Sequence, residues 1–282
     1  MHAGKKIIGV VAPASRIEPA IAERTAEIAH ALYPDRPPEL RFHPQCHLSS
    51  GHFAGDDEAR ARAFLEVAND PEIDAVWFAR GGYGSARIAE RVLPALTPAA
   101  RAKTYLGYSD IGALLAGLYK AGCAGVTHGP MPADLNRAGG EAAITRALAF
   151  LVDRDPNALE PTVTPAIPTV AFNITVLSHL MGTPLQPDLA GHVLMLEDVS
   201  EYMYRIDREL LHVTSVPEIR AVAGIRLGRC SAIPPNVPDF GQTEVEVVQH
   251  WCGRSGIPYL GRADIGHDID NKIVPFGRWR PA

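Results

Sequence analysis

Three stretches in the first half of the chain run almost uninterruptedly apolar before turning polar: KKIIGVVAP at 5–13, IDAVWFAR at 73–80 and KTYLGYS at 103–109. Each gives way to a segment with helical spacing of its apolar positions, at 18–33, 85–93 and 110–121. Short continuous apolar runs suit strands covered on both faces, and their alternation with helices predicts α/β layers around a parallel sheet. GVTHGP at 125–130 adds a further strand end. The pattern then lapses. Residues 151–170 are rich in proline and show neither periodicity, so they read as a linker between an N-terminal domain over 1–160 and a C-terminal domain over 170–282. Beyond it, HVLMLED at 192–198 and residues 219–229 read as strands. EYMYRIDRELLHV at 201–213, with Glu201 and Arg205 one helical turn apart, reads as an amphipathic helix, and EVEVVQHWC at 244–252 as another. No internal repeat is visible.

Composition narrows the class without changing this picture. Over 282 residues, 46% are hydrophobic and 21% charged, the balance of an ordered globular chain. A net charge of -5 with no dense Lys/Arg stripe argues against nucleic acid as a partner. The first apolar run, IIGVV, is too short and β-branched for a signal segment, and no run reaches the roughly 18 apolar residues of a membrane helix. A cytoplasmic protein that does not enter membranes is expected. Cys46, Cys123, Cys230 and Cys252 are widely spaced, so reduced thiols are expected rather than a disulfide framework or a zinc knuckle.

In open parallel sheets reactive groups gather at the carboxyl ends of the strands, where Ser15, Arg80-Gly81-Gly82, Ser109 and His128 all fall. Ser109, in YLGYSDIG at 105–112, has two readings. It is the N-cap of the following helix, or it is a nucleophile held on a sharp strand-to-helix turn, for which Gly107 at -2 removes a steric clash although the usual glycine at +2 is replaced by Ile111. A nucleophilic serine needs a base and an acid to orient it. His267, in the polar loop GRADIGHDIDN, is a candidate base or a solvated loop histidine. Glu197, ending the run VLML, is a candidate acid, and Asp198 beside it a candidate cap for the next helix. RGGYGSARI at 80–88 has neither the Rossmann glycine spacing nor a Walker lysine. Its glycines would instead let backbone N–H groups approach a substrate opposite Ser109, while Arg80 would meet a carboxylate or sit in an ion pair. His43, Cys46 and His47, with His52 beyond, lack a carboxylate at matching spacing, so no metal site is expected there.

Taken in order, VVAPAS at 10–15, FAGDDEARA at 53–61, RGGYGSARI at 80–88, GYSDIGALL at 107–115, THGPM at 127–131, LEDVSEYMYRIDREL at 196–210 and GHDIDNKIVPFG at 266–277 resemble the murein LD-carboxypeptidase family of serine peptidases. That family also includes the microcin C self-immunity peptidases. The resemblance spans nearly the whole chain. It implies a Rossmann- or flavodoxin-like parallel-sheet domain carrying the nucleophile Ser109, a smaller, β-rich α/β domain carrying Glu197 as orienting acid and His267 as general base, and a homodimer. It also implies hydrolysis without metal or cofactor, releasing D-alanine from the L-centre of diaminopimelate in the murein tetrapeptide during wall recycling. The backbone N–H groups of Asp110 and Gly82 would bind the oxyanion, and Arg80 or Ser85 the terminal carboxylate. AFNIT at 171–175 departs from the family's usual Gly-Gly-Asn-Leu, keeping only Asn173. Two alternatives follow: a peptidyl-adenylate hydrolase of the same family, for which Trp251 or Trp279 would be the base-stacking platform, and a muropeptide-binding protein without catalysis.

Overall fold

The computed structural model describes residues 5–281. Strand β1 (Ile7–Val11) is buried from its second residue onward, and a parallel sheet grows from it on both sides. β2 (Glu39–Phe42) pairs along one edge of β1 and β3 (Ala75–Phe78) along the other, followed outward by β4 (Thr104–Gly107) and β5 (Gly125–His128). The resulting order, 2-1-3-4-5, is that of a flavodoxin-like doubly wound sheet. Successive side chains point to opposite faces. Val11, Val76, Phe78 and Tyr105 therefore enter one core with helices α2 (Asp57–Asn69), α3 (Ser85–Val92) and α5 (Ile111–Lys120). Ile8, Val10, Trp77 and Leu106 enter the other with α1 (Pro19–Leu32) and α6 (Glu141–Asp153). A short α4 (Pro98–Ala102) leads into β4.

The second sheet is also parallel, in the order β6 (Thr169–Asn173), β7 (Val193–Val199), β8 (Gly224–Ser231) and β9 (Tyr259–Arg262). Helices α7 (Ile174–Leu180), α8 (Met203–Ser215) and α9 (Glu244–Ser255) cover one face. The larger core runs without a break from Phe64 of α2, against the first sheet, to Leu210 of α8 and Val248 of α9, against the second.

Three details differ from the pattern along the chain. The segment expected as linker begins inside α6 and ends inside β6, leaving 154–168 between them with one 3-10 turn at Pro156–Ala158. The strand expected over 219–229 starts at Gly224, because Ile219–Ala221 forms a 3-10 turn. The division between the halves is also crossed: β10 (Val274–Pro275) returns to the first sheet and pairs antiparallel with β5, Val274 opposite His128. β2 escaped notice because all four of its residues are half-buried, so its pattern is neither alternating nor apolar.

Candidate active site

The site is assembled from the first sheet upward. β4 ends at Gly107, and the chain must turn at once into α5. A methyl at Gly107 would lie 2.9 Å from the Phe78 ring and 3.0 Å from Ile111, so only glycine lets the turn close this tightly. Ser109 then adopts φ 62°, a left-handed conformation that is strained for any residue with a Cβ. Its carbonyl accepts from Gly112 N–H at 2.8 Å to start the helix. Its hydroxyl caps nothing and stands off the turn, which is the elbow geometry rather than the N-cap. Facing it, a methyl on Gly81 would come within 3.0 Å of Ser109 Oγ and 3.5 Å of Asp110 N, so this glycine keeps the space in front of the hydroxyl open. Gly82 beside it has φ 105°. Among the described residues, neither Asp110 N–H nor Gly82 N–H donates to a backbone acceptor outside the regular elements.

The second sheet supplies the other half. Glu197 and Asp198 are consecutive and both buried, and strand alternation sends them to opposite faces of β7. The pairing with β8 shifts register here, Leu196 standing opposite Leu227 but Asp198 opposite Cys230, so β8 carries one extra residue across from Glu197, an irregularity of the kind found beside functional sites. Glu197 Oε2 lies 2.5 Å from His267 Nδ1, and His267 Nε2 lies 3.0 Å from Ser109 Oγ. Burial alone would depress the His267 imidazole, but the Glu197 carboxylate outweighs it and holds the ring above its ordinary 6.5. Tyr108 packs against the ring at 4.9 Å between centroids. The loop carrying His267 is fastened by Asn271, whose Oδ1 accepts from Gly266 N–H at 3.2 Å and sits 3.0 Å from His128 Nε2. Burial pushes His128 down to about 4, so it is a neutral tether rather than a second base. A carboxylate, imidazole and hydroxyl linked this way can move the hydroxyl proton to the ring as the oxygen attacks an acyl carbon.

Other expected residues fall differently. Ser85 is fully buried, donating its hydroxyl to the Asp110 carbonyl at 2.6 Å, while the Asp110 carboxylate accepts from Ser85 N–H at 2.9 Å and Gly84 N–H at 3.2 Å. These bonds lock the start of α3 to the turn at Ser109, so Ser85 supports the site and does not face a substrate. Arg80 is exposed at its strand end, donates to the Arg16 carbonyl at 3.2 Å, and makes no ion pair among the described residues. Asp198 caps α7 instead of the next helix, accepting from Thr175 N–H and Oγ1 at 3.0 Å and from Asn173 Nδ2 at 2.9 Å. Cys46 is buried with its Sγ on the Val10 carbonyl, and His43 pairs with Glu66, so these two serve separate local contacts.

Two arginines had no signal in the sequence. Arg60 is fully buried within α2, donating to the carbonyls of Pro13 and Gly84 and thereby tying two strand-end loops together. Arg137 donates to buried Asp134 at 3.1 Å, and Asp134 accepts from Tyr108 Oη at 2.6 Å. A proline-led turn after THGPM could have flagged Asp134, which accepts from Met131 N–H at 2.9 Å, but nothing local marks Arg137.

Ser109 sits between two cavities. The larger, of about 660 Å³, is walled by Val176, Leu180 and Leu185 and reaches Tyr83 and Asp198; the smaller, of about 340 Å³, contains Arg80, Arg137 and Asp134. Gly82, Ser109 and His267 line both. Trp251 donates to Asp207 and Trp279 packs on Phe150, and neither lines these cavities.

A two-domain α/β scaffold with a serine elbow facing a buried His–carboxylate pair is the layout of a serine hydrolase. The LD-carboxypeptidase N-terminal domain model matches residues 8–129 and the corresponding C-terminal domain model residues 168–280. A putative carboxypeptidase of Synechocystis sp. is 34% identical, over 85% of this chain and 79% of its own length. The murein tetrapeptide carboxypeptidase of Pseudomonas aeruginosa is 25% identical over 96% of this chain and 91% of its own. The crystal structure of muramoyltetrapeptide carboxypeptidase from Oxalobacter formigenes superimposes with TM-score 0.80 at 25% identity, covering 95% of this chain and 93% of that one. The microcin C7 self immunity protein shares the fold at 18% identity and TM-score 0.76, covering 99% of this chain and 98% of that one. The chain belongs to the LD-carboxypeptidase family, and is a carboxypeptidase. Among the described residues no helix is long and apolar enough to cross a membrane.

Proposed function

We propose that this protein is a serine-type LD-carboxypeptidase that hydrolyses the amide between meso-diaminopimelate and the terminal D-alanine of murein tetrapeptides. The observation that carries this reading is the unbroken hydrogen-bonded series Glu197–His267–Ser109 placed between two cavities on an open elbow. Relatives named for murein peptides support the substrate class. Ser109 Oγ attacks the amide carbonyl as its proton passes to His267 Nε2, while Glu197 holds the Nδ1–H tautomer. The developing oxyanion is met by the N–H groups of Asp110 and Gly82. His267 returns the proton to the departing nitrogen, D-alanine leaves, and the acyl group stays on Ser109. A water then attacks the ester carbonyl, giving its proton to His267, which passes it to Ser109 as the tripeptide is released. The position of both tryptophans outside the cavities favours a peptide over a nucleotide-bearing substrate.

Mass spectrometry of L-Ala-γ-D-Glu-meso-diaminopimelate-D-Ala incubated with protein in chelator, beside the Ser109→Ala variant, tests the reading. Loss of one alanine by wild type alone is expected. An intact tetrapeptide in both reactions would overturn it.

A further inference from the structure

We propose that the smaller cavity is the subsite for the substrate's terminal carboxylate, with Arg137 as its principal ligand beside Arg80, and that the charge difference across Ser109 sets the direction in which a peptide enters. The proposal rests on the function proposed above and assigns the carboxylate to a residue that reading did not use.

The two cavities differ sharply in charge although they meet at the same three residues. On one side the carboxylates are Glu90, Asp110, Asp198 and Glu201, of which Asp110 and Asp198 already accept from neighbouring donors and Glu201 pairs with Arg205, and no lysine or arginine lines the cavity. On the other it is Arg80 and Arg137 with one carboxylate, Asp134. That carboxylate is already committed, accepting from Tyr108 Oη, Met131 N–H and Arg137 Nε. Arg137 is thus held by one edge, and its Nη1 has no acceptor among the described residues. A guanidinium anchored through Nε and presenting a free edge is pre-organised for an incoming carboxylate. Arg80, which unlike Arg137 makes no ion pair among the described residues, adds a second cation to the same cavity.

The direction follows from electrostatics. A peptide bound with its terminal carboxylate in the larger cavity would find no lysine or arginine there. Bound the other way, the carboxylate meets two guanidinium groups, while the aliphatic part of the acyl residue lies along Val176, Leu180 and Leu185. The site so built selects an exopeptidase substrate, because a chain continuing past the residue after the scissile bond has no carboxylate for Arg137 to receive.

A binding measurement tests this apart from turnover. Ser109→Ala protein is titrated with N-acetyl-D-alanine and with N-acetyl-D-alaninamide, followed by NMR. The acid is expected to bind about 10-fold or more tightly than the amide, as befits a charge-assisted hydrogen bond. Adding Arg137→Gln should bring the two ligands within about 2-fold, and Arg137→Lys, which keeps the charge facing Asp134, should retain part of the preference. Melting curves of all three proteins check that Asp134 and Tyr108 stay folded. An acid bound no better than the amide in Ser109→Ala protein, or a preference that survives Arg137→Gln, overturns the proposal. If the acid binds through Arg137 but wild type leaves the tetrapeptide intact, the carboxylate subsite stands and the murein reading falls.

Discussion

The two sheets contribute to the site by opposite means. The first delivers Ser109 through its backbone: a glycine at the strand end, a left-handed serine, and a second glycine that leaves room in front of the hydroxyl. The second delivers its part through buried charge, placing Glu197 inside a strand where Oε1 finds no partner among the described residues and only His267 answers Oε2. One side stores conformational strain and the other desolvation energy. Substitutions in the first sheet should therefore fail sterically, and those in the second electrostatically.

The contrast is tested most severely at Glu197. Glu197→Gln keeps the shape and removes the charge, and kcat should fall about 10³- to 10⁴-fold. His267 must be neutral to accept a proton, and its folded pKa lies above 6.5 because of Glu197, so wild-type kcat/KM should fall with acidification through a limb above that value. In the variant, burial is left as the dominant influence and the limb should move down; a limb that stays in place would show that Glu197 does not set it.

Arg60→Met tests the scaffold of the first sheet. Losing the donor to two buried carbonyls should lower stability by about 3 kcal/mol, read from urea unfolding. Gly81→Ala should act chiefly on turnover: about a 10²-fold loss of kcat/KM, because the new methyl meets Ser109 Cβ and Oγ, with a smaller loss of stability than Arg60→Met. Equal effects of these two on stability would erase the distinction between scaffold and open face.

The smallest effect is expected at Glu209. Thr175 Oγ1 lies 3.0 Å from both Asp198 and Glu209, and one hydroxyl proton cannot serve two carboxylates. Burial, followed by the nearby carboxylates, raises Glu209 to about 7 from its ordinary 4.5. Its contribution is therefore fully present below pH 4.5 and lost as pH rises through about 7. Glu209→Gln should gain roughly 0.5 kcal/mol at pH 8 relative to pH 5, the half-exposed position being screened by solvent.

What was legible in the sequence was what depends on neighbours along the chain. β1, β3 and β4 announced themselves because strands buried on both faces must be continuously apolar, and their ends located Ser109, Gly81 and Gly82. Pairing Ser109 with Glu197 and His267 needed the ordered blocks of the resemblance, since periodicity cannot bring residues from two sheets together. Ser85 was misjudged because its partner, the Asp110 carbonyl, is visible only in three dimensions. Asp198 was read as the cap of a helix after it in sequence and caps one before it, since β7 lies beside β6 and so brings Asp198 to the start of α7. Arg60 and Arg137 resemble surface arginines until their buried partners are seen.

The return of β10 to β5 has a consequence for the order in which the protein is made. β5 ends at His128, yet its outer edge is closed by Val274 and Pro275, which follow only after the whole second sheet. On the ribosome the first sheet therefore waits with an unpaired edge until the strands of the second sheet have emerged, and such edges recruit strands from other chains. The residues that finish the sheet arrive just after His267, so a nascent chain acquires its complete site and loses its exposed edge in the same short interval of synthesis.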